Sequence, residues 1–165
     1  MDFSKSSAQM WEQLRRFNAL EHPVRGILLR AVILLPLISL SLRLRGFLKT
    51  RTFLQKHLAP SERRLKAATV SICPKVTAAM VRAAGRYGLG HPTCLQESLA
   101  LWWLLGRQGI PSDLRIGVRK QAAKFEAHAW VERHGVALNE PEAVHEHYAA
   151  FDAALASTPS PPEPR

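Results

Sequence analysis

The sequence predicts an α+β domain, with helices over roughly its first two-thirds and a small antiparallel sheet after them. Three observations carry this. Apolar residues recur at spacings of three and four up to Gly109. Beyond Gly109 the period changes to two, in Leu114-Arg115-Ile116-Gly117-Val118 and again over residues 126–132. A chain of 165 residues that is 47% apolar is long enough for one domain with its own core, plus an appended helical segment.

In residues 8–20, Met10, Trp11, Leu14, Phe17 and Leu20 form one face of an amphipathic helix. Pro23 suits the first turn of the next helix. Residues 24–48 are the most apolar part of the chain, which predicts a buried or interfacial helix. A spanning helix is disfavoured, because Arg30 and Pro36 interrupt the roughly 20 apolar residues that a span needs. Basic flanks around an apolar middle instead suit peripheral contact with anionic lipid through residues 24–48, with a partner protein or the domain's own core as the alternatives.

Residues 49–60 end at Pro60, a joint, and Ser61 with Glu62 starts another helix. Pro74 opens the next, whose Val76, Ala79, Met80, Ala83 and Ala84 suggest a small-residue packing face; Gly88 and Gly90 break it. Thr93 and Cys94 then open a helix that Gly109 ends. A strand over 114–118 follows, then a polar connection over Arg119–Phe125 and a strand over 126–132. The chain reverses at Arg133-His134-Gly135, and a return strand covers 136–138. Residues 142–155 read as a helix, and the Pro-rich end as a disordered tail. The expected organisation is a basic, apolar helical segment over 1–60, a catalytic domain over 61–155 and a tail over 156–165.

Lys and Arg number 23 against 13 Asp and Glu, a formal charge of +10 concentrated in residues 1–60. That balance suits an anionic partner: an acidic peptide, a nucleic acid or an anionic membrane. Two cysteines, Cys73 and Cys94, exclude a disulfide framework and cannot by themselves build a structural zinc site. The first residues lack the basic-then-apolar order of a secretory signal, so a cytoplasmic location with free thiols is expected.

A cysteine at a helix start sits where the helix dipole favours a thiolate. A thiol nucleophile needs a base, and the base needs an orienting group. His128, on a strand beside Trp130, is the candidate base; Glu140 or Asn139, after the hairpin, is the candidate orienter. The N–H of Cys94 is the first candidate oxyanion donor. Structural readings compete: Cys94 as a small buried hydrophobe, His128 as a structural strand histidine, Cys73 as packing, Trp102 and Trp103 as core. His145 and His147, near Glu142 and Glu146, read as a solvated face rather than a metal site.

The stretch CLQESLALWWLLGRQGIPSDLRIGVRK followed by FEAHAWVERHGVALNE resembles the transglutaminase-like leader peptidases of lasso-peptide biosynthesis. Cys94, Leu95, Ser98 and Leu99 match the first motif. Gly109, Ile110 and Ile116–Arg119 match the second. Phe125, Ala127, His128, Ala129 and Trp130 match the third. The resemblance implies a papain-like or transglutaminase-like fold and a Cys–His–acid triad of Cys94, His128 and Glu140. Glu140 stands where the family carries an aspartate, and Glu97 where it carries an arginine. It further implies cleavage of a precursor at its leader–core junction, with no metal or organic cofactor and no nucleic-acid partner. The expected partners are the precursor peptide, a separate leader-recognition protein and a macrolactam-forming lasso cyclase. The expected site of action is the cytoplasm or its membrane face. Acyl transfer to an amine, or a catalytically silent membrane or partner adaptor, are the alternatives.

Overall fold

A computed structural model describes residues 21–58, 72–88, 91–121, 124–140 and 148–150. Over these the chain runs α1 (His22–Lys56), α2 (Pro74–Tyr87), α3 (Cys94–Arg107), β1 (Asp113–Gln121), β2 (Lys124–Arg133), β3 (Val136–Ala137) and β4 (Ala149–Ala150). This is the α+β order that the change of period predicts. The helices expected over 8–20 and from Ser61, the joint at Pro60, the tail, and His145 with His147 lie outside the described residues.

Helix α1 carries Pro23 in its first turn and continues through Pro36. Its interruption comes at Gly46, where φ is 74° and ψ 176°. Only glycine takes such a geometry cheaply, so the helix bends there and resumes. A hydrogen bond between the hydroxyls of Ser41 and Thr50 (2.9 Å) spans the bend. Ile27, Ala31, Leu35 and Ile38, at helical spacing, bury one stripe of α1 against α2 and α3.

Helix α2 buries Thr77, Ala78, Val81, Ala84 and Gly85. The expected face of Val76, Ala79, Met80, Ala83 and Ala84 is therefore corrected: only Ala84 is fully buried, and Ala79 is exposed. Small residues occur all around this helix, so their spacing does not select the buried side. Cys73, read from sequence as packing, precedes the first turn of α2 without a side-chain cap bond and is exposed. In α3, Leu99, Ala100, Leu101, Leu104 and Leu105 are fully or almost fully buried, while Trp102 and Trp103 sit half-buried at the core edge.

The sheet has the order β3-β2-β1-β4, antiparallel throughout. Strands β1 and β2 are longer than their apolar alternation suggests. Arg119↔Glu126, Lys120↔Phe125 and Gln121↔Lys124 are cross-strand pairs, so the described residues of the polar connection expected over Arg119–Phe125 are paired strand. Arg119 grips Glu126 through two bonds of 2.8 and 2.7 Å, a charge pair that suits an exposed hairpin end. Of the helix expected over 142–155 only residues 148–150 are described, and there it is corrected. Ala149 and Ala150 are extended and pair with Val118 and Gly117. Alanine's helix preference, a fraction of a kcal/mol per residue, yields here to the hydrogen bonds that the open edge of β1 supplies.

Candidate active site

Thr93 caps α3 through a capping box. Its hydroxyl accepts from the Gln96 N–H (3.4 Å), and its own N–H donates to Gln96 Oε1 (2.9 Å). This explains why the helix begins at Cys94, which occupies its first turn and is partly buried. Gln96 makes a further bond, from Nε2 to the Ser39 hydroxyl on α1 (3.2 Å). A cavity of about 340 Å³ opens beside this start, with Pro36, Ser39, Gly85, Pro92, Thr93 and Gln96 among its walls.

One turn along, Ser98 is completely buried. Its hydroxyl donates to the carbonyl of Ala129 (2.9 Å), the residue after His128. Asn139 completes the junction. Its Nδ2 donates to Ser98 Oγ (3.1 Å), and its Oδ1 accepts the Val131 N–H (2.8 Å). Helix α3, strand β2 and the chain beyond β3 are thus tied at one buried point. This ties the turn after Cys94 to the strand segment that carries His128.

His128 Nε2 lies 3.0 Å from Glu140 Oε1. The two are in contact but not in line for a hydrogen bond, since the ring nitrogen has no partner of good angle. The pair is largely withdrawn from water, at 17% and 18% exposure, which strengthens its electrostatic coupling. The imidazole also lies against two aromatic rings, Trp130 at 6.1 Å and Tyr148 at 5.2 Å between centroids. Trp130 is held by its indole N–H to Glu132 (2.7 Å), and Glu132 in turn accepts from Arg115 (3.1 Å). Gly117 stands opposite His128 in the register. A Cβ there would lie 2.9 Å from both the Trp130 ring and the Tyr148 Cβ, so the absence of a side chain lets both rings close on the imidazole.

Behind Glu140 lies a second acid. Burial raises the pKa of Glu97 above the usual carboxylate value; Glu140 adds to the rise, while Arg82 and Arg86 oppose it. Arg82 also donates to the Asn139 carbonyl (3.0 Å), so one cation serves both the acids and the loop that presents Glu140.

The structure therefore brings His128 and Glu140 together and commits the amide of Asn139, the alternative orienter, to Ser98 and Val131. Cys94 begins the turn that Ser98 anchors, and among the described residues its thiol makes no hydrogen bond to His128 or Glu140. Sequence reasoning missed the junction role of Ser98, along with Arg82, Gly117 and Tyr148. Only Ser98, a polar residue inside an apolar helical run, carries a local signal. Among the described residues no group of three or more His, Cys, Asp or Glu side chains could hold a metal ion.

Compared with known families, residues 32–151, well over half of the chain, match the family described as the transglutaminase-like superfamily. No curated protein and no solved structure matches.

Proposed function

This chain belongs to the transglutaminase-like superfamily, whose members are commonly cysteine hydrolases or acyltransferases, and from that premise we propose that it is a cysteine peptidase that removes the leader from a lasso-peptide precursor. The observation that carries the reading is the 3.0 Å contact of His128 with Glu140, on a strand bolted to the first turns of the Cys94 helix.

In this reaction His128 takes the thiol proton, and the Cys94 thiolate attacks the carbonyl carbon at the leader–core junction. The tetrahedral oxyanion forms beside the start of α3. There the cap engages the N–H groups of Gln96 and Glu97, leaving those of Cys94 and Leu95 as donors. Collapse breaks the C–N bond, His128 protonates the departing core amine, and the leader stays on Cys94 as a thioester. Water, deprotonated by His128, then releases the leader as a free acid. Glu140 stabilises the imidazolium through both halves.

A separate leader-recognition protein delivers the precursor, and the freed core amine passes to a macrolactam-forming cyclase. Purified chain is incubated with precursor, with and without the recognition protein, and products are weighed by mass spectrometry. Free leader acid and free core amine are expected. Cys94→Ala and His128→Ala should each lower turnover by at least about 10²-fold. Undiminished cleavage by either variant would overturn the proposal. A leader–amine adduct would assign acyl transfer instead, and binding without cleavage an adaptor.

A further inference from the structure

We infer that the outer face of α1 is a docking surface for an anionic lipid bilayer, with the helix lying flat on it. The face opposite the buried stripe of α1 carries Leu29, Ile33, Leu37, Leu40 and Leu44, again at spacings of three and four. Each is more than half exposed, up to 73% at Leu44. A helix apolar on two opposite sides, with only one of them packed, leaves a stripe about 23 Å long facing water. Monomeric domains seldom expose so continuous an apolar strip without a partner.

Charge selects the partner. Helical periodicity puts Arg43 along one edge of the stripe and Arg30 along the other, and both are exposed. Around the bend at Gly46, Arg45, Lys49 and Lys56 surround Leu48 and Phe53 at a shallow cavity of about 540 Å³, the same mixture of cations and apolar surface. An apolar strip with cations on both borders suits an anionic headgroup layer above acyl chains. The whole chain carries +10, which attracts it to such a surface before contact.

The helix is long and apolar enough to span a bilayer. Spanning, however, would strip Ile27, Ala31, Leu35 and Ile38 from the domain core, whereas lying flat keeps that packing and covers the outer stripe.

The test is co-sedimentation of the full chain with vesicles of phosphatidylcholine alone or with phosphatidylglycerol added, at low and high salt. Binding is expected to need the anionic lipid and to weaken with salt. The combined variant Ile33→Ser, Leu37→Ser, Leu44→Ser should abolish it, with thermal unfolding confirming that the core is intact. Arg30→Gln with Arg43→Gln, which leaves the apolar stripe in place, should weaken partitioning by about 30-fold. Failure to pellet with anionic vesicles, or pelleting that neither variant changes, overturns the inference. So does self-association of the chain in solution that the serine variant removes, which would make the face a contact between copies.

Discussion

At the scale of single residues, the candidate site separates groups proposed to do chemistry from groups that hold them. Ser98 and Asn139 belong to the second kind. Both are polar and lie at the junction of α3 with β2, so deleting one leaves its partner unsatisfied. Asn139→Ala orphans the Val131 N–H and should cost about 1–3 kcal/mol in a urea titration, and Ser98→Ala a similar amount. The pair should be strongly non-additive, because each removes the same bridge. Glu140→Gln should leave the urea midpoint nearly unchanged while lowering kcat; equal losses of stability and rate would mark Glu140 as structural.

Glu97 supplies a pH signature. Its pKa is raised above 4.5 in the folded chain, chiefly by burial. Folding therefore favours its protonated form. The contribution to stability is full below the ordinary carboxylate range and is lost as pH rises through the raised value. Glu97→Gln, neutral throughout, should gain on the parent as pH increases from about 4 to about 7. Urea midpoints of both proteins across that range check this, and a constant difference would count against it.

Among elements, the sheet shows what a sequence reveals and what it conceals. Period-two alternation marks the middles of β1 and β2, although in β2 the consecutive residues Ala129, Trp130 and Val131 are all buried, so both faces are covered there. It is missing toward the hairpin end, where Lys120, Lys124 and Phe125 are exposed and nothing enforces alternation. Strand β4 has no pattern of its own: two alanines become strand only because β1 offers an edge. The Cys94 helix was legible because its cap, apolar face and terminating glycine are all local. The proximity of His128 to Glu140 was only half legible: the hairpin brings the two segments back together, but whether Glu140 or Asn139 turns toward the ring depends on Ser98, whose polar place in an apolar run is visible but whose partner is not. Gly117 tests the element directly. Gly117→Ala pushes a methyl against Trp130, Tyr148 and the Ala149 carbonyl, and should cost about 1–3 kcal/mol by overpacking. Thermal unfolding reads the loss, and an unchanged melting point would mean that the rings part freely.

At the scale of the whole molecule, the described helices and sheet share a single core to which α1 contributes Ile27, Ala31, Leu35, Ile38 and Leu54. The hydrogen bond from Gln96 to Ser39 extends that dependence to the start of the Cys94 helix. One side chain thus holds the cap of the Cys94 helix with its oxygen and the long helix α1 with its nitrogen. This bears on where the chain can be cut. A truncation at residue 60, more than thirty positions ahead of Cys94, removes the wall on which the first turn of the Cys94 helix leans. A fragment that is to keep this contact has to include α1 and cannot begin at the helix that bears Cys94.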